Sequence, residues 1–117
     1  MEVSIGIDCE DIARFKGINS REAFMKKIFT ENEIGYCIKK PNPAQHFAAR
    51  FAGKEAIVKA LSSAGKKISI KQIEILNDDS GVPVVNLHKD GLDSIEVKLS
   101  LSHSETTAVA SAIVIEK

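Results

Sequence analysis

The chain has 117 residues, enough for one domain over residues 1–117 and too few for two, and its 16 Lys and Arg balance its 16 Asp and Glu. A net charge of zero draws the chain neither to nucleic acid nor to a membrane surface, so charge-guided docking falls to local clusters. Cys9 and Cys37 lack CxxC spacing and His-rich neighbours, which argues against zinc and disulfide frameworks, and no apolar run suits a signal peptide or membrane span. The expectation is a soluble, reduced, cytoplasmic protein. A core this small also leaves deep pockets to be completed by a neighbouring subunit.

Val3, Ile5 and Ile7 alternate with Ser4, Gly6 and Asp8, the period of a half-buried strand ending at Asp8. Asp11 is placed to cap a helix carrying Ile12, Ala13 and Phe15. Helix follows around Arg21 to Phe29, and Thr30 with Glu33 makes a capping box for another. After Pro41 and Pro43 the longest helix runs from Ala44 to about Leu61, and Ser62 to Lys67 is a loop. Ile68, Ile70, Ile73 and Ile75 suggest strand, and DDSGVPVV is a turn between strands. Val97, Leu99, Leu101 and His103 alternate with Lys98, Ser100 and Ser102, and Thr107 to Ile115 has the uniform apolarity of a central strand buried on both faces. Strand, then helices, then several strands is an α+β order, with an antiparallel-rich sheet around a long central helix.

Asp8 stands where a strand meets a loop, a place for a metal ligand and equally for a turn residue. On a helix of about 100° per residue, Glu55 lies about 40° from Phe51, inside the apolar arc of the long helix. A carboxylate there needs a partner, and either a divalent cation or Lys59 at i+4 can supply one. Lys54 falls in the same arc and is expected to snorkel outward. Arg50, Lys54, Lys59, Lys66 and Lys67 form a basic cluster suited to polyphosphate or to a solvated helix face. His103 lies among hydroxyls in SLSHSETT, as a phosphate-binding or a surface histidine would.

Three blocks together resemble holo-acyl-carrier-protein synthase, the short class of phosphopantetheinyl transferases. They are Gly6-Ile7-Asp8 with Ile12-Ala13-Arg14-Phe15, then FAARFAGKEAIVKAL at 47 to 61, then LSLSHSETTAVA at 99 to 110. Gly81-Val82-Pro83 matches a further element of the family. The resemblance implies transfer of phosphopantetheine from coenzyme A to a serine of an acyl carrier protein, with Mg²⁺ on Asp8 and Glu55. It places Lys59 at the transferred phosphate, Arg50 and His103 on coenzyme A phosphates, and Gly81 and Pro83 near the adenine. It gives Arg14 and Arg21 to the acidic carrier, and it implies a homotrimer with shared sites. A carboxylate, Lys59 or a metal-bound water could take the serine proton; the residues leave that open.

The family's G-T-G loop is replaced here by Ser62-Ser63-Ala64-Gly65-Lys66-Lys67, and residues 9 and 10 are Cys and Glu. If the first strand runs on to residue 10, Glu10 shares a face with Asp8 and can join the metal site, as in the larger two-lobed transferases. If Asp11 caps a helix, Glu10 stays on the surface, and strands commonly end at such a cap. The altered loop leaves room for a relative that binds coenzyme A without catalysis. Gly91-Leu92-Asp93-Ser94-Ile95-Glu96 is similar to the attachment motif of a carrier protein, with Ser94 as the acceptor. The neutral charge and the strand-like alternation after Ser94 oppose that reading.

Overall fold

The first strand carries its large side chains outward, the reverse of what its alternation suggests. In the computed structural model, which describes residues 1–117, β1 (Glu2–Asp11) turns Ser4, Gly6, Asp8 and Glu10 toward the protein. Val3, Ile5 and Ile7 face away, with Ile5 71% exposed. The cause is a long helix, α3 (Pro43–Ser63), pressed against the strand at Gly6. A Cβ on Gly6 would lie 2.0 Å from the Ala56 carbonyl oxygen. Only the small-residue face of β1 can approach so closely.

Pro43 sits in the first turn of α3, where its fixed φ suits a helix start. From there α3 runs through the centre of the molecule rather than along its surface. Ala48, Ala52, Ala56 and Ala60, four residues apart, meet Ala108, Ala110, Ala112 and Val114 of β5 (Thr107–Glu116). Alanine against alanine contributes little area per residue, about 25 cal/mol for each Å², but it lets the helix axis approach the sheet closely. At the other end Phe15, Phe29, Phe47 and Phe51 form an aromatic cluster, with Phe29 and Phe47 4.9 Å apart.

β5 is the middle strand of a three-stranded antiparallel sheet, between β1 and β4 (Ile95–His103). A two-stranded hairpin, β2 (Ile73–Asn77) and β3 (Pro83–Leu87), closes the far side. Its turn carries Gly81 at φ 87°, a left-handed conformation that glycine adopts without strain. Two short helices, α1 (Glu22–Ile28) and α2 (Glu31–Ile38), precede α3. Thr30 and Glu33 form the expected capping box at the start of α2. No helix is long and apolar enough to cross a membrane.

The α+β order and the central helix stand as read from the sequence; several local expectations do not. β1 does not end at Asp8 but continues to Asp11, because Asp8 through Asp11 keep pairing with Ala110 through Thr107. Asp11 caps no helix; it leads into a 3-10 turn, Ile12–Phe15, without a side-chain cap. β5 is central but buried on one face only, with Ser111 and Ile113 exposed on the other. Ile70 belongs to a 3-10 turn, Ile70–Gln72, rather than to a strand. Ser94 precedes a strand, not a helix: Ile95 opens β4 directly, which removes the structural basis for a carrier attachment site.

Candidate active site

The period of two along β1 puts Asp8 and Glu10 side by side on the face turned to α3. Lys59 reaches them from the helix. Its ammonium group donates to Asp8 Oδ1 at 3.2 Å and to the Ile7 carbonyl at 3.0 Å. Lys59 therefore faces β1 rather than pairing with Glu55, the ordinary helix contact that its spacing also allowed. Asp8 Oδ2 is buried and has no hydrogen-bond partner.

Glu10 is held more tightly than a surface residue. Its side chain is 13% exposed and accepts from Arg14 Nη1 at 2.9 Å. Burial, and then the hydrogen bond and charge of Asp8, push its carboxyl up to about 7, while Arg14 acts in the opposite sense. The Glu10 and Asp8 carboxyl groups thus crowd together. The surface position that a cap at Asp11 would have given Glu10 is overturned, because the strand does not stop there.

His103 belongs to the same neighbourhood by register. Glu10 pairs with Ala108, and Ala108 pairs with His103 on its other side. Two strand spacings put their backbones roughly 10 Å apart on one face. Gln45, in the first turn of α3, fixes the imidazole by a 2.8 Å contact to Nε2. Nothing in the sequence marked Gln45 for this role. A cleft of about 540 Å³ opens beside it, lined by Ile12, Phe15, Pro43, Phe47 and Glu105, but Asp8, Glu10 and Lys59 lie outside it.

The basic cluster expected along α3 is split: Lys59 and Lys67 are exposed, whereas Arg50 and Lys54 are buried. Lys54 is 0% exposed and does not snorkel; its ammonium group lies 2.7 Å from Glu33 and donates to the Ile28 carbonyl at 2.7 Å. Burial lowers the Lys54 pKa, against the raising effect of Glu33. Arg50 is 2% exposed and faces the hairpin. It donates to the Ile75 carbonyl at 3.2 Å and to the Asn77 side chain, and stacks 4.2 Å from the Tyr36 ring centroid. Asn77 in turn donates to the Gly81 carbonyl at 3.0 Å, so Arg50 and the Gly81 turn form one hydrogen-bonded unit.

Arg50 has no carboxylate partner, and a buried cation without one is costly. Lys40 lies 4.5 Å from the same ring centroid, and His46 stands edge-on to it at 6.0 Å. Burial, then the charges of Arg50, Lys40 and His103, hold the His46 imidazole below its usual range. This concentration of positive charge is equipped to meet an anion. His46 and Lys40 were not legible as part of it, since residues 36, 40, 46 and 50 come together only through the angle between α2 and α3.

The candidate residues therefore fall into an acidic half, Asp8 and Glu10 on the β1 flank of α3, and a basic half, Arg50 on the hairpin flank. Glu55, half-buried on α3 one turn before Lys59, lies about 40° from it around the helix and so on the same flank. No three His, Cys, Asp or Glu side chains meet as a ready-made metal cage. The unpartnered Asp8 oxygen, the crowded Glu10 and an all-oxygen donor set nevertheless fit a hard divalent cation such as Mg²⁺, which keeps several waters of its own. Arg14, on the Ile12–Phe15 turn, and Arg21, just after a second 3-10 turn at Ile18–Ser20, are exposed beside this half, with Arg21 donating to the Arg14 carbonyl at 2.9 Å.

Residues 4–112 match the family described as the 4′-phosphopantetheinyl transferase superfamily. The holo-[acyl-carrier-protein] synthase of Chlorobaculum parvum is 46% identical over 115 residues, covering 96% of this chain and 97% of that one. Among solved structures, the Chronobacterium ammoniagenes ACPS-CoA complex superposes with a TM-score of 0.85 at 25% identity, covering 100% of this chain and 99% of that one. A holo-(acyl-carrier-protein) synthase from Bacillus anthracis in complex with CoA (3′,5′-ADP) gives 0.80 at 32% identity, with 97% and 96% covered.

Proposed function

The chain belongs to the 4′-phosphopantetheinyl transferase superfamily, and from that premise we propose how this chain carries out the transfer. The coenzyme A-dependent transferase activity follows from the relatives. The serine hydroxyl of an apo acyl carrier protein attacks the phosphorus that bears pantetheine. A new phosphate ester forms, the pyrophosphate bond breaks, and adenosine 3′,5′-bisphosphate leaves.

Asp8 and Glu55 would hold Mg²⁺, with Glu10 beside them, and the ion would neutralise the pyrophosphate charge. Lys59 already faces the acidic half, where it can contact the transferred phosphate. Arg50, cationic, buried and short of a counter-ion, receives a phosphate of coenzyme A, and His103, held by Gln45, receives another. Gly81 and Pro83, tied to Arg50 through Asn77, form the adenine wall. Arg14 and Arg21 dock the acidic carrier.

The outward face of the sheet supports a homotrimer. Val3, Ile5 and Ile7 lie on it, 56%, 71% and 65% exposed, and Ile113 extends the patch on β5. A contiguous apolar face of this kind marks an interface. Assembly through it would complete coenzyme A sites at the subunit boundary.

The observation that carries the metal-dependent reading is the buried, unpartnered Asp8 oxygen beside the crowded Glu10 carboxyl. The test is incubation with coenzyme A, Mg²⁺ and an apo carrier, read by intact mass. A pantetheine adduct that needs Mg²⁺ and is lost in Asp8→Ala and Glu55→Ala is the expected result. Unchanged carrier mass would refute the transferase reading, and equal turnover in chelator would refute the metal.

A further inference from the structure

The Arg14–Glu10 ion pair joins two parts of the surface that the reaction uses separately. Glu10 is nearly buried against Asp8, whereas the Arg14 side chain is 51% exposed. On the solvent side Arg14 stands with Lys16 and Arg21, both exposed. Arg21 is spent on the Arg14 carbonyl and on the Phe24 ring, 5.1 Å from its centroid, not on an acid. Glu10 is therefore the one carboxylate that this basic face engages. The Arg14 guanidinium also rests over Phe51 and Phe15, 5.2 and 5.7 Å from their centroids. That aromatic floor stays in contact if the guanidinium swings from Glu10 toward solvent.

An acidic surface approaching this face competes with Glu10 for Arg14. Once Arg14 is drawn off, Glu10 and Asp8 are left with only Lys59 to offset two carboxylates. A divalent cation relieves that repulsion better than a single ammonium group can.

We propose that Arg14 couples carrier docking to cation binding: it is the counter-ion of Glu10 while the docking face is empty, and it passes to an acidic segment of the carrier on docking, releasing Glu10 to the cation held at Asp8. Arg14 is thus a positioning residue. The coupling rests on the function proposed above, and it is reciprocal: the cation strengthens carrier binding by the factor by which the carrier strengthens cation binding.

The test is calorimetric titration of Mg²⁺ into the full chain without coenzyme A or carrier. The parent is compared with Arg14→Gln, Arg14→Lys, Glu10→Gln and the Arg14→Gln/Glu10→Gln double variant. Arg14→Gln should bind Mg²⁺ about 2- to 5-fold more tightly than the parent, the range for losing one partly exposed ion pair. Arg14→Lys, which keeps charge and stem, should fall between them and serves if the Gln variant folds poorly. Adding Arg14→Gln to Glu10→Gln should change nothing. A second titration with apo carrier present should tighten Mg²⁺ binding to the parent and not to Arg14→Gln. Arg14→Gln binding Mg²⁺ no more tightly than the parent, or a carrier effect of equal size in both, would overturn the coupling while leaving the transferase reading intact. A parent that binds no Mg²⁺ would overturn the coupling and the metal site together, and the mass assay would still decide the transfer.

Discussion

Lys59 lies one helical turn beyond Glu55, yet its ammonium group is 3.2 Å from Asp8 Oδ1, on a different element. It is the cation that pairs with Asp8, as Arg14 pairs with Glu10. In Lys59→Met, metal-free chain should melt lower than the parent, because the Asp8–Glu10 repulsion loses its compensation. Saturating Mg²⁺ should then raise its melting temperature more than it raises the parent's. Turnover should fall by about 100-fold, the usual order for losing one well-placed charge stabiliser. Equal melting shifts in the two proteins would show that Lys59 and the ion do not share the same carboxylates.

Glu10 sets a pH dependence whose sign is fixed by the direction of its shift. Its folded-state carboxyl titrates at about 7, above the ordinary glutamate range. Between those values the folded chain keeps a proton that the unfolded chain has released, so metal-free stability falls as pH rises toward and through about 7. Glu10→Gln has no such group. The variant should match the parent near pH 4, where both are neutral, and exceed it at pH 8 by on the order of 2 kcal/mol. Urea melts at the two pH values measure the difference; parallel stability across the range would remove the crowding of Asp8 and Glu10.

The buried Glu33–Lys54 pair should be the costliest ion pair to break. Lys54→Met leaves Glu33 charged at 0% exposure, at a cost of about 3–5 kcal/mol by denaturant unfolding. Adding Glu33→Gln should recover part of the loss but not all of it. Glu33 also accepts the backbone amides of Thr30 and Ile75, at 2.8 Å each, and a neutral amide side chain satisfies them less well.

Gly6→Ala should be among the most damaging single substitutions. The added Cβ meets backbone, the Ala56 carbonyl oxygen at 2.0 Å, and not a side chain that can rotate away. Overpacking usually costs about 1–3 kcal/mol, and a rigid backbone contact puts this case at or above that upper end. Soluble yield and melting temperature are the readouts; a parent-like melt would mean that α3 can slide off β1.

If the sheet's outer face is the assembly surface, Ile5→Lys with Ile7→Lys should yield a monomer by light scattering and lose transferase activity with it. A fully active monomeric parent at assay concentration would refute the trimer.

The sequence disclosed the order of elements, the long helix, the hairpin turn and the Thr30 capping box, all of which rest on local spacing. It singled out Asp8, Glu55 and Lys59 as candidates only through resemblance, since periodicity left each with an ordinary explanation. What it hid was orientation. Val3, Ile5 and Ile7 alternate as an inward face would, and the reason they point outward, the approach of Ala56 to Gly6, involves residues 50 positions apart in the numbering. Lys54 and Lys59 look alike on a helical wheel, but one meets Glu33 and the other meets Asp8 because different elements cover those flanks of α3. The extent of β1 was equally hidden: Asp11 has the composition of a helix cap, and its pairing with Thr107 overrides that local preference.

That pairing has a consequence for the birth of the protein. β1 emerges from the ribosome first and β5 last of all the elements, yet the two are hydrogen-bonded neighbours from Glu2–Glu116 to Asp11–Thr107. The sheet therefore cannot close before Thr107–Glu116 has been made, and until then the backbone of β1 has no partner. Chains that stall before Thr107 keep Asp8 and Glu10 on an unpaired strand, without the register that sets them side by side. A truncated product thus lacks the pairing that orders Asp8 and Glu10 and presents an apolar strand with an open edge.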